Sequence, residues 1–147
     1  MNIHKIKRVF LLSLSACFLI VNVLCAEDIA KRVPINGEDS YFSVGAFTLK
    51  EMLEKKDFLF INVHIPYEGE IEGTDLFIPY NEIQKNLHKL PSDKNAKIVL
   101  YCRSDRMSVI AAHTFVTLGY SNIWSLEGGM VGWKRAGFPL VNKHDTP

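Results

Sequence analysis

The chain has 147 residues, 48% of them hydrophobic and 22% charged, the make-up of one globular domain and not of a disordered or multidomain chain. Its formal net charge of +1 supplies no electrostatic reason for a nucleic-acid partner, and none is expected.

Lys5, Lys7 and Arg8 open the chain, and Val9 to Val21 follow without a charge. A basic start before an apolar run is the pattern of a secretory signal, read here as residues 1–26 with a cut after Ala26. Leu24 is larger than ideal in that cleavage site. The alternative is an uncleaved anchor formed by residues 9–26, since about 18 mostly apolar residues approach bilayer-spanning length. A lipid attached at Cys25 is disfavoured by the bulky Leu24 before it. The expected location is therefore the periplasm or the exterior, with contact to the inner membrane only if the segment stays. Loss of residues 1–26 takes the formal charge from +1 to about −2 and removes Cys17 and Cys25, leaving Cys102 alone. A lone cysteine in an oxidising compartment has no internal disulfide partner, so it is either kept buried or used.

Residues 27–46 mix charges with Pro34, Gly37 and Gly45 and read as a spacer or loosely packed arm. The domain is then 47–142, with a polar tail at 143–147. Thr48 with Glu51 forms a capping-box pattern and predicts a short helix to about Lys56. Phe58 to Val63 is a near-continuous apolar run, suited to a strand covered on both faces. Residues 64–75 hold His64, Glu68, Glu70, Glu72 and Asp75 without fixed metal-ligand spacing. They read as a solvated loop with turn glycines, and no metal is expected. Leu76-Phe77-Ile78 predicts a short strand ended by Pro79. Asn81 to Gln84 predicts a second capped helix running to about Leu90.

Ile98 to Tyr101 reads as a buried strand ending at Cys102. A small-residue helix is predicted from Ser108 to Leu118, with Gly119 closing it. A strand-to-helix turn sets the sulfur over a helix N-terminus, where free N–H groups and the dipole favour an anion. Such a thiol is expected to have a lowered pKa and to act as a nucleophile. The contrary expectation is a buried structural cysteine. Asn122 to Leu126 predicts another strand, and Gly128-Gly129 leads into a last short helix through Trp133. Strands alternating with helices on short connections imply an α/β fold with a mostly parallel sheet.

The order of these motifs resembles a single-domain rhodanese over about Thr48 to Val141. The resemblance rests on Tyr101-Cys102-Arg103-Ser104, Ala111-Ala112, Leu118-Gly119-Tyr120, Leu126-Glu127-Gly128-Gly129, Trp133 and Ala136-Gly137-Phe138-Pro139. Gly69 to Gly73 stands where the family often has a Gly-His-Ile-Pro-Gly turn. The resemblance implies a central, mostly parallel sheet with helices on both faces. It implies a sulfurtransferase without cofactor, in which Cys102 takes the outer sulfur of a donor such as thiosulfate as a persulfide. An acceptor such as a thiol or cyanide then removes that sulfur, and a periplasmic protein partner is a further candidate. The substrate loop would be Arg103, Ser104, Asp105, Arg106, Met107 and Ser108, with backbone N–H groups around the sulfur. Arg103 and Arg106 would draw the anionic donor.

Several positions depart from the family pattern. Asp105 stands for a common glycine and Met107 for a common arginine. Asn62 and His64 stand for aspartate and arginine, so an ion pair usual in the family is expected to be absent. Glu70 and Glu72 replace histidine and proline. Asp tolerates positive φ, so the turn is expected to survive, but its carboxylate opposes an anionic donor and raises the thiol pKa unless an arginine pairs with it. These departures point to another donor, a protein partner or low activity. The competing reading is a non-catalytic rhodanese-fold module that binds a partner or senses oxidation through Cys102. A cysteine-loop phosphatase is disfavoured because Ser108 stands where a phosphate-gripping arginine would close the loop.

Overall fold

The structure, a computed structural model, describes residues 30–142. The candidate signal at 1–26 and the tail at 143–147 lie outside the described residues. Among those described, no helix is long and apolar enough to cross a membrane.

In chain order the elements are β1 (Lys31–Pro34), β2 (Ser40–Val44), α1 (Ala46–Glu54), β3 (Leu59–Asn62), β4 (Leu76–Phe77), a 3-10 segment (Ile83–Lys89), β5 (Ile98–Tyr101), α2 (Arg106–Thr117), β6 (Ile123–Leu126) and α3 (Gly129–Arg135). One six-stranded sheet runs β1-β2-β6-β5-β3-β4. Only β1 is antiparallel to its neighbour, and the pairs β2–β6, β6–β5, β5–β3 and β3–β4 are parallel. The expected α/β architecture is therefore present.

β5 lies at the centre with all four residues buried. Its side chains alternate between two apolar layers, as the pleat of a strand requires. Ile98 and Leu100 join Ile61, Ala111, Ala112 and Phe115 beneath α2. Val99 and Tyr101 join Leu49, Phe60, Met130 and Trp133 beneath α1 and α3. Helices thus cover both faces, and continuous apolar strands need that cover.

The structure corrects four sequence expectations. Residues 31–44 are a β-hairpin built into the sheet, not a spacer. Ile35 and Asp39 close its turn, with Ile35 N donating to Asp39 O at 2.8 Å. β2 gains its place by pairing Phe42 to Trp124 and Val44 to Leu126. The first helix begins at Ala46 with Gly45 as its N-cap, so Thr48 does not cap it. β2 delivers the chain directly into that turn, and Leu49 N donates to Gly45 O at 3.0 Å. The second helix is a 3-10 segment interrupted at Asn86. The Asn86 side chain donates to Glu82 O at 2.9 Å, the local competition that keeps Asn out of helix interiors.

The fourth correction concerns residues 64–75. Gly69 and Gly73 do have positive φ, but His64, Glu70, Ile71 and Thr74 are buried, so the loop packs inward. Its anchor is the Tyr101 hydroxyl. Ile71 N donates to that oxygen at 3.0 Å. The Thr74 hydroxyl, 2.7 Å from it, gives its own proton to Ile71 O at 2.6 Å. The Tyr101 proton must therefore point at Thr74 Oγ1.

Tyr101→Phe removes the acceptor of a buried N–H and should lower stability by about 1–3 kcal/mol in urea unfolding. Burial, only partly offset by hydrogen bonding with Thr74 and Ile71, pushes the Tyr101 phenol well above its ordinary value of 10.0. A folded-state pKa that is raised gives stability complete below about pH 10 and lost as the pH climbs past it. The urea midpoint should accordingly drop more for the wild type than for Tyr101→Phe between about pH 9 and about pH 11.

Candidate active site

β5 ends at Tyr101 and Cys102 follows with 2% exposure. It is a free cysteine. Its sulfur lies 3.6 Å from Ser108 Oγ, in the first turn of α2. Ser108 Oγ gives its proton to Asp105 O at 2.9 Å and accepts from Ser125 Oγ at 3.0 Å. With its one proton so placed, Ser108 meets the neutral thiol as an acceptor. Ser125 comes from β6, so the sulfur is registered against three elements at once.

The loop is shorter than expected because α2 starts at Arg106 and not at Ser108. Asp105 makes that possible. Its φ of 79° is the one positive value at a non-glycine among the described residues. Such angles are open chiefly to glycine, asparagine and aspartate. The chain reverses there, and Val109 N already donates to Asp105 O at 2.9 Å. The N–H groups of Arg106, Met107 and Ser108 precede that bond and have no acceptor within the helix. They are the anion-favouring end of α2, and Cys102 sits at it.

The other side of the loop is held by α3. Met130 N donates to Cys102 O at 2.9 Å and Val131 N to Arg103 O at 3.0 Å. Gly128 N donates to Asp105 Oδ1 at 2.7 Å. Gly129 allows this approach. A Cβ on it would lie 2.3 Å from Cys102 O and 2.8 Å from Arg103 O, and its φ is +52°. The Asp105 carboxylate is therefore engaged by a backbone N–H, and among the described residues no arginine pairs with it.

The remaining loop residues scatter in environment. Arg103 is exposed, and its Nε lies 3.2 Å from Glu68 Oε2. Ser104 and Arg106 are exposed, and Met107 packs its side chain onto the core beneath α2. Asn62 is buried and neutral, with Nδ2 donating to Gly69 O at 3.1 Å and Oδ1 accepting from His64 N at 3.0 Å. The buried His64 ring makes no hydrogen bond, but its Nε2 stands 3.7 Å from Glu68 Oε1. Among the described residues no cluster of His, Cys, Asp and Glu is grouped for a metal ion.

Sequence reasoning missed Glu68, Ser125, Gly128 and Gly129 as parts of the site. Ser125 carried a signal, as a polar residue inside the otherwise apolar Ile123–Leu126. The paired glycines carried another, since adjacent glycines after a strand permit close backbone approach.

The family model described as a rhodanese-like domain matches residues 46–136. A protein of Allochromatium vinosum named sulfurtransferase is 30% identical over 95 residues, which cover 63% of this chain and 86% of that protein. A tRNA uridine(34) hydroxylase of Buchnera aphidicola is 27% identical over 139 residues, covering 82% of this chain but 43% of that protein. The chain thus spans less than half of that relative's length. Among solved structures, a rhodanese-related protein from Thermoplasma volcanium aligns with a TM-score of 0.57 and 26% identity, covering 67% of this chain and 96% of that one.

Gly129→Ala should lower stability by about 2–5 kcal/mol, because its Cβ must displace the carbonyls of the cysteine loop and the backbone is strained besides. Thermal unfolding followed by circular dichroism measures this. Gly137→Ala, at a positive φ with open space around it, bears only the backbone strain of about 1–2 kcal/mol.

Proposed function

Because the chain belongs to the rhodanese-like domain family, we propose that it is a sulfurtransferase in which Cys102 carries sulfane sulfur as a persulfide. One observation carries this reading. The sulfur of Cys102 lies 3.6 Å from Ser108 Oγ in the first turn of α2, the turn whose N–H groups a helix leaves without acceptors of its own. The likeness to a protein named sulfurtransferase supports it.

The chemistry follows from that placement. The Cys102 thiol gives up its proton to solvent, and the first turn of α2 stabilises the thiolate electrostatically. The thiolate lone pair attacks the outer sulfur of the donor. The S–S bond of the donor breaks, and its electron pair leaves with the remainder, which is sulfite when the donor is thiosulfate. The terminal sulfur of the new persulfide bears the negative charge, still facing the same N–H groups. A thiolate or cyanide then attacks that terminal sulfur and returns Cys102 as thiolate. Ser108 and Ser125 position the sulfur atom, and the α3 contacts keep the loop from turning its carbonyls inward toward the anion. The uncharged run at the start of the chain leads us to place this activity outside the cytoplasm, with sequencing of the mature N-terminus as the check.

Incubation of the protein with excess thiosulfate should add one sulfur atom to the intact mass. Cyanide should remove it as thiocyanate, and Cys102→Ser should show neither step. Loading that survives Cys102→Ser, or no loading from thiosulfate or from an organic hydropersulfide, overturns the assignment.

A further inference from the structure

Thiosulfate meeting a thiolate brings three negative charges together, so a site that favours this donor needs cationic side chains at its mouth. Here the side chains around Cys102 balance to zero formal charge. Arg103 is paired with Glu68 at 3.2 Å. Met107 is uncharged and packed against the core. Arg106 faces solvent from the start of α2, but Asp105 precedes it and adds a carboxylate at the same turn. That carboxylate also accepts from Gly128 N–H at 2.7 Å.

A second feature lies beside the same residue. An open groove of about 550 Å³ borders Asp105 between α1 and α3, with Phe47, Glu127, Gly128 and Arg135 in its walls. Phe47 is 61% exposed although it is a large aromatic side chain. Asp105, Glu127 and Arg135 together give the groove one net negative charge, which is unfavourable to a dianion. It has room for an organic group, and its aromatic wall suits one that is apolar. Thiosulfate is too compact to use it.

Building on the sulfurtransferase reading, we propose that Asp105 sets the donor class, so that the loop takes sulfur from an organic hydropersulfide, R–S–SH, which carries at most one negative charge, in preference to the thiosulfate dianion. The step balances without a further reactant. The Cys102 thiolate attacks the terminal sulfur of R–S–SH and the S–S bond of the donor breaks. R–S⁻ leaves with the electron pair and is protonated by water. Cys102 is left as the hydropersulfide, whose proton is lost to solvent. A hydropersulfide that reacts in its protonated form meets no repulsion from Asp105 and its anion meets that of a single charge, whereas a dianion meets twice that. The neutral organic part has the groove beside Phe47 to occupy.

The test uses N-acetylcysteamine hydropersulfide as the donor with at most one charge and thiosulfate as the dianion. Loading of Cys102 is followed by quenched intact-mass measurement on the full chain. The wild type should load faster from the hydropersulfide by at least about tenfold in second-order rate. Asp105→Asn keeps a side chain that tolerates positive φ and still accepts from Gly128 N–H, but removes the charge. It should shift the ratio of the two rates toward thiosulfate by about tenfold, and Asp105→Gly should shift it at least as far. The difference between wild type and Asp105→Asn should shrink as salt is added, which a purely structural role for Asp105 would not produce. A wild type that loads faster from thiosulfate overturns the proposal, as does a ratio that neither variant changes while Cys102 still takes up sulfur. Absence of sulfur on Cys102 from both donors, in wild type and variants alike, overturns instead the sulfurtransferase reading itself.

Discussion

The cysteine loop depends on the grip of α3 on its backbone. Met130 and Val131 donate to the carbonyls of Cys102 and Arg103, and Gly128 donates to the Asp105 side chain. A carbonyl that is hydrogen-bonded outward cannot turn toward the sulfur, where its negative end would oppose an anion. This contact requires Gly129, since any Cβ there would overlap the Cys102 carbonyl. Two helix N-termini therefore meet at one loop. That of α3 holds the loop carbonyls, and that of α2 faces the thiol.

Asp105 joins these two roles in one residue. Its backbone reverses the chain so that α2 can begin at Arg106, and its carbonyl takes both Val109 N–H and the Ser108 hydroxyl. Its carboxylate reaches across to α3. A glycine could make the turn but could not make the bridge. Asp105 thus ties the loop more tightly while placing a negative charge beside a centre that must itself become negative.

The layer behind the loop is polar where the strands end and apolar where they run. Tyr101, Thr74 and Ile71 fix the inward-packed segment after β3, while Asn62 binds Gly69 O and His64 N. Each of these groups is buried and partnered, which is how a polar layer persists without a large desolvation cost. The segment carries Glu68 to the mouth of the site, where it meets Arg103. The exposed pair contributes little to stability, but it offsets the one cationic side chain that directly follows the cysteine.

The central strands, the helix after Cys102 and the parallel α/β order were legible in the sequence, because runs such as Ile98–Tyr101 must be buried on both faces and short connections leave few topologies. The tolerance of Asp105 for positive φ was legible for the same local reason. Local signals failed where a distant partner overrode them. The hairpin at 31–44 exists because Phe42 finds Trp124, a pairing across more than half the chain that no local pattern records. The capping box at Thr48 lost to Gly45 because β2 ends there. The burial of Glu70 and His64, the Ser108–Ser125 contact at the sulfur and the close approach of Gly129 are sums over neighbours remote in sequence. The sequence by itself determined that a thiol ends a buried strand before a helix. Only the tertiary structure decided which donors, charges and carbonyls surround that thiol, because those come from β6, α3 and the segment after β3, which meet Cys102 only once the sheet is assembled.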